Sequence, residues 1–218
     1  EGQKMTTSCC PAFVNMIKKH FPQVLGNMST TVSPMTATGR LIKALDPEAV
    51  CVFIGPCIAK KSEVIDTVTF GGADYAMTYE ELSSMFEAKD IDPADFDGEM
   101  QQGSVYGMEF SVSGGVTAAV LQTFKERNEE VEVKVNKANG ALECKKALMM
   151  LKAGKLQEDF IEGMACVGGC VNGPCMINKS RTYIKDRNVQ IKKADGRGVL
   201  ENVEKYDDLK INMTRNKQ

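Results

Sequence analysis

"AVCVFIGPCIAKKSE", residues 49–63, carries an unbroken apolar run into a Gly–Pro–Cys turn and then into two lysines. A strand covered by helices on both faces reads as continuous apolar sequence, whereas a half-buried strand alternates. Residues 49–55 therefore read as a buried parallel strand. The turn after it lies beyond the carboxyl end of that strand, where open α/β sheets build their sites.

The flanking sequence repeats this alternation of strand and helix. "PAFVNMIKKHF" (11–21) has helical spacing with Pro11 in the first turn, and "ATGRLIKAL" (37–45) predicts a second helix. "DYAMT" (74–78) reads as a strand running into the helix "YEELSSMFEAK" (79–89), capped by Thr78. After an acidic loop at 90–103 come a helix at 116–129, a half-buried strand "EVEVKV" (130–135) and an amphipathic helix at 141–155. "DFIEGMAC" (159–166) is the last buried strand, and a basic tail spans 178–198. The expected fold class is α/β, with largely parallel sheets flanked by helices.

Charge and composition narrow the function. A net charge of −2 argues against a nucleic-acid binder, which would show a basic stripe. No apolar run approaches membrane-spanning length, and "EGQKMTTSCC" has no apolar core of a signal peptide. The expected location is the cytoplasm. Without an initiator Met, the chain reads as a fragment or a subunit. Its single histidine, His20, excludes a His-rich metal site, so any metal is held by sulfur or carboxylate.

The eight cysteines sort by setting. Cys51 sits inside the apolar strand and Cys144 on the apolar side of helix 141–155, both places for structural thiols. Cys9, Cys10, Cys57, Cys166 and Cys170 lie in turns instead. Cys166 and Cys170 bracket "VGG", where backbone N–H groups can approach sulfur. Zinc sites favour paired C-x-x-C knuckles, and there are none. Four turn cysteines from three segments (10, 57, 166 and 170) suit a [4Fe–4S] cubane. Cys9, beside a ligand, is a redox partner, a structural thiol or a residue with a separate task.

"TSCCPAF", "GPCIAKKSE" and "MACVGGCVNG" together resemble the signature segments of the [FeFe]-hydrogenase catalytic domain, in order. "NMSTTVSPM", "DYAMTYEEL" and "FSVSGGVTAAVL" fit the same domain, and the likeness extends to about Cys175. Residues 1–175 are accordingly expected to form a hydrogenase-like domain portion, with 176–218 as its C-terminal extension. The resemblance implies an H-cluster: a cubane on Cys10, Cys57, Cys166 and Cys170, bridged by Cys170 to a diiron subcluster with CO, CN and dithiolate ligands. It implies that Cys9 carries protons, that Lys60 donates to a diiron cyanide and that Ser29 belongs to the proton relay. Pro56, Phe110 and Met164 would wall the diiron pocket. The implied partners are a ferredoxin-type electron donor and maturation proteins.

Three departures stand out. Gly55 replaces a family methionine and is expected to loosen one wall of the pocket. "VNGPC" replaces a glycine-rich ending and adds Cys175, for which a structural role is expected. With eight residues before Cys9, the family's upstream lobe, which supplies a relay glutamate, is expected to come from a second chain, or else an open cleft is expected to self-associate. Reversible proton reduction to H2 is the leading expectation. A non-catalytic iron–sulfur assembly or sensory protein of the same fold is the alternative, and a zinc-binding or metal-free cysteine-rich fold a weaker one.

Overall fold

Every pairing between strands is parallel in the computed structural model, which describes residues 3–98, 103–177 and 182–215. The chain runs through β1 (Met5–Thr6), α1 (Pro11–His20), α2 (Pro34–Leu45), β2 (Val52–Gly55), α3 (Ala59–Val64), β3 (Tyr75–Thr78) and α4 (Tyr79–Ala88). It continues through α5 (Val105–Glu109), α6 (Gly115–Glu126), β4 (Val135–Asn139), α7 (Ala141–Lys152), β5 (Phe160–Met164), α8 (Thr182–Ile191) and α9 (Val199–Glu204). One sheet has the order β1-β5-β4 and the other is the pair β2-β3. The expected α/β class with parallel sheets is what forms.

β5 lies at the centre of the larger sheet and is buried from Ile161 to Met164. Phe13 and Ile17 of α1 and Leu148 of α7 pack with Ile161 into one core cluster, each almost fully buried. Such side chains contribute about 1.5–3 kcal/mol each on burial. Gly163 makes the fit of α1 possible, because a Cβ there would stand 2.4 Å from the Phe13 ring. α4 starts with the expected Thr78 cap, which Glu81 completes as a capping box in which the two satisfy each other's backbone N–H groups.

Three expectations need correction. The strand expected at 130–135 lies at 135–139, because the register with β5 runs from Val135↔Phe160 to Asn139↔Met164. Residues 127–132 are exposed, and of "EVEVKV" only its last residue, Val135, pairs with β5. β2 is also less buried than a continuous apolar run implies: Val52 is 45% and Ile54 42% exposed. Val52 and Ile54 share one face of the strand, which is left largely open, while Phe53 and Gly55 on the other face are more buried. α2 begins earlier than expected, at Pro34, with Ser33 accepting from the Thr36 N–H.

The C-terminal region folds back over the rest. The first turn of α9 is held by Glu126 of α6, whose carboxylate accepts from the Val199 N–H (2.9 Å) and the Leu200 N–H (2.8 Å). Beyond it, Thr214 pairs with Thr31 as an antiparallel bridge, and Val32 donates to Met213. Arg215 donates from its backbone to Thr30 and from its guanidinium to the Ser8 carbonyl at 2.9 Å. Of the basic tail, residues 178–181 lie outside the described residues, as do 99–102 of the acidic loop. Among the described residues no helix is long and apolar enough to cross a membrane.

Candidate functional site

Each turn cysteine follows a parallel strand. Cys9 and Cys10 follow β1, Cys57 follows β2, and Cys166 and Cys170 follow β5. β1 and β5 are hydrogen-bonded neighbours, so their loops leave the sheet side by side. Thr7 ties them further, its hydroxyl accepting from the Gly163 N–H at 3.0 Å. Cys10 occupies the cap position of α1, and Cys57 lies just before α3, where burial raises its thiol and the backbone N–H groups of Lys60 and Ala59 offset only part of that rise. Helix N-termini favour the thiolate that a metal requires.

The cysteine loop at 166–170 depends on glycine. Gly168 and Gly169 adopt φ of +83° and +98°, and a Cβ on Gly169 would lie 2.5 Å from the Ser111 carbonyl oxygen. Ser113 donates to Gly168 and Val171 to Ser111, fastening this loop to the segment before α6. Gly173 has a similar duty, since a Cβ there would lie 2.6 Å from the Pro56 carbonyl oxygen. Cys175 is buried, and its N–H donates to that same carbonyl at 3.1 Å, so it braces the Gly–Pro–Cys turn.

The four cysteines expected as ligands share an electrostatic environment. Burial, first, and then in part the proximity of Cys10 push the Cys57, Cys166 and Cys170 thiols up, Cys170 to about 12. Cys166 and Cys170 also respond to Cys57, and Cys170 to Cys166. Among the described residues, no three His, Cys, Asp or Glu side chains gather as ligands of a metal ion do. Ligands of a cubane each take a different iron corner, so their sulfurs stand wider apart than around one ion. The donor chemistry, four sulfurs from three loops, fits such a cluster.

Beside Cys57 and Cys170 lies a cavity of about 280 Å³. Seven of the ten expected site residues line it: Cys9, Pro56, Cys57, Lys60, Phe110, Met164 and Cys170. Met35, Phe53, Tyr79 and Ser111 complete much of the wall. Gly55 does not leave it loose, because the Phe53 ring comes within 2.6 Å of where a side chain at 55 would begin. Cys10 is 8% exposed and packs in the core cluster below, with Cys9 against it. Burial, then Cys10, Glu162 and Cys170, push the Cys9 thiol up to about 12, against the pull of a hydrogen bond with Thr7. Ser29 and Cys166 do not line the cavity. The Ser29 hydroxyl instead donates to Thr31 Oγ1 and accepts from the Thr31 N–H, both at 3.2 Å.

Lys60 is 7% exposed, unlike Lys61, which pairs with Glu81 at the surface. Its ammonium donates to Glu63 Oε2 at 2.7 Å and to Ser33 Oγ at 2.8 Å. Glu63 is itself buried, accepts from the Thr36 hydroxyl and lies 3.9 Å from the Arg215 guanidinium. Sequence reasoning missed this buried network. Glu63, three residues after Lys60, was a readable signal for an ion pair; nothing in the tail marked Arg215.

Glu162 was missed as well, although a carboxylate inside the apolar run "FIEGM" was the cue. It is fully buried and faces the start of α6. Its Oε1 accepts from the Gly114 N–H at 2.6 Å, and its Oε2 from the Thr117 N–H at 2.9 Å and hydroxyl at 2.5 Å. An anion there neutralises the helix N-terminus and fixes the turn that precedes α6.

A family model for the C-terminal domain of the iron-only hydrogenase large subunit matches residues 1–174. Iron hydrogenase 1 of Clostridium pasteurianum is 30% identical over 212 residues, covering 78% of this chain and 37% of that protein. The cytosolic Fe-S cluster assembly factor NAR1 of Kluyveromyces lactis is 22% identical over 280 residues, covering 92% of this chain and 59% of its own length. The chain thus spans less than two thirds of the length of either relative. The solved [FeFe]-hydrogenase HydA(deltaEFG) superposes with a TM-score of 0.71 at 23% identity, covering 95% of this chain and 72% of that one. That likeness shows a shared fold.

Proposed function

The chain belongs to the family formed by the C-terminal domain of the large subunit of iron-only hydrogenases, and we propose that it carries the catalytic-lobe part of a site for 2H⁺ + 2e⁻ ⇌ H2. The observation that carries the reading is the cavity, which gathers Cys9, Lys60 and Cys170 with the apolar side chains of Phe110 and Met164. A [4Fe–4S] cubane on Cys10, Cys57, Cys166 and Cys170, joined at Cys170 to a diiron unit in the cavity, would supply the electron transfer and proton reduction.

The protein's own residues then have separate tasks. Cys9 holds a proton on Sγ at the cavity wall, and its burial keeps that proton in place until a stronger base lies opposite. Lys60 presents positive charge to an anionic occupant, its ammonium aimed by Glu63 and Ser33. Pro56, Phe110 and Met164 exclude water, which strengthens both interactions. Ser29 joins the relay by resemblance, its hydroxyl oriented through Thr31. Electrons would come from a ferredoxin-type donor.

The second reading, a non-catalytic iron–sulfur assembly protein, is favoured by the match to the assembly factor over 92% of the chain. Anaerobic reconstitution with iron and sulfide, followed by a synthetic diiron mimic, separates the two. Infrared CO and CN bands with H2 evolution support the hydrogenase reading, as does loss of turnover in Cys9→Ala. A cubane signal without those bands, in protein supplied with the remainder of the family's catalytic domain, overturns it in favour of the second.

A further inference from the structure

We propose that the outer face of α7, with the tip of the cysteine loop, is the docking surface for a small acidic electron-transfer protein. This deepens the proposed function by naming where its electron donor binds, and it rests on that reading. Leu142, Met149 and Ala153 follow at spacings of seven and four, so they share one stripe of α7 and its exit. Leu142 is 85% and Met149 55% exposed, although they bracket the fully buried Leu148 and Cys144 of the same helix.

Charge defines the partner. Lys145, Lys146 and Lys155 line a shallow groove of about 300 Å³ with Leu142 and Met149, and Lys152 stands exposed one turn on. The acidic residue within α7, Glu143, is engaged by the Asn139 N–H at 2.9 Å. A chain of net charge −2 therefore concentrates four lysines around an apolar strip, a surface complementary to an acidic rim with an apolar centre.

Position supplies the reason for a redox partner. The loop residue Val167, between Cys166 and Cys170, is 67% exposed, and its side chain lies 2.8 Å from where a Cβ on Gly140 would sit, at the start of α7. Gly168 donates to the Asn139 side chain at 2.6 Å, fixing that contact. On the inner face of α7, the fully buried Cys144 belongs to the same core cluster as Cys10. A helix with its side chains is about 10–12 Å across. A donor docked on this face thus stands about one helix width from the cysteine cluster. One electron would pass from the donor's reduced iron–sulfur centre, which is oxidised, to the cluster held by this chain, which is reduced.

The test is binding of an acidic [2Fe–2S] ferredoxin to the full chain by calorimetry at low and high salt, a readout that needs no cluster in this chain. Lys145→Glu with Lys146→Glu should weaken binding about ten-fold or more and flatten its salt dependence. Leu142→Ser with Met149→Ser should weaken it several-fold while keeping the salt dependence. Lys192→Glu with Lys193→Glu, beyond α8, should change neither. Wild-type affinity in the first variant, or a loss confined to the third, overturns the assignment. A circular-dichroism melt matching wild type excludes unfolding as the cause of any loss. Failure of the iron–sulfur reading registers separately, as absence of cluster absorbance after reconstitution of the wild-type chain.

Discussion

Replacing Glu162 by Gln changes one oxygen of a buried carboxylate to an amide nitrogen and leaves shape almost untouched. The glutamine oxygen can serve either Gly114 or Thr117, but the other backbone N–H then faces an NH2 group. One buried donor loses its acceptor, at about 1–3 kcal/mol. Loss of negative charge at the start of α6 removes about 1–2 kcal/mol more. The amide is easier to bury than a carboxylate, which returns part of this, so a loss of about 3 kcal/mol is expected. With a urea slope of about 2 kcal/mol/M, the unfolding midpoint should fall by about 1.5 M. Because Glu162 also pushes the Cys9 thiol up, the variant should alkylate faster at Cys9 at a given pH. Peptide-resolved mass spectrometry after brief iodoacetamide treatment measures this, with unchanged Cys144 showing that the fold has not opened. A midpoint shift below about 0.5 M, or slower alkylation at Cys9, would refute the role assigned to the carboxylate.

Glu63→Gln should cost about 3–5 kcal/mol in urea unfolding, because Lys60 and Arg215 stay buried without their shared counter-charge. Adding Arg215→Met should recover part of that loss, which a double-mutant cycle reads directly. Gly169→Ala should destabilise by about 1–3 kcal/mol and lower the iron bound on reconstitution, since φ of +98° and the Ser111 carbonyl leave no place for a methyl group. The Glu126 carboxyl lies below its ordinary value of 4.5, chiefly through the Leu200 N–H and then through Gln122 and Val199. A depressed folded-state pKa gives stability that is fully present above the ordinary value and is lost as pH falls through the lowered one. Amide exchange at Val199 and Leu200 should therefore accelerate relative to the core in acid, and Glu126→Gln should abolish that pH dependence.

The strands and most helices were legible because their signals are local. The apolar run of β5, Thr78 as the cap of α4 and the proline at the start of α1 each declare themselves within a few residues. "EVEVKV" misled because alternation says only that a segment can lie half-buried; the pairing of Val135 with Phe160 decides where the strand is. β2 looked doubly covered because sequence shows hydrophobicity and not which face of a strand another layer covers. At the site, residue chemistry pointed to the turn cysteines and Lys60. What holds them was hidden: Glu162 acts across 48 positions on Gly114, and Arg215 acts through backbone carbonyls that carry no side-chain signature.

The bond from Arg215 to the Ser8 carbonyl joins positions 207 residues apart, and so sets an order of events during synthesis. At about 5–20 residues per second, translation takes about 10–40 s to cover that span. β1 faces a similar delay, because its partner β5 is made late. The Cys9–Cys10 turn therefore leaves the ribosome long before either the strand that anchors it or the strap that closes over it exists. Through that interval its adjacent thiols are held by neither, and the cradle for them is a product of the last part of the described chain to be made.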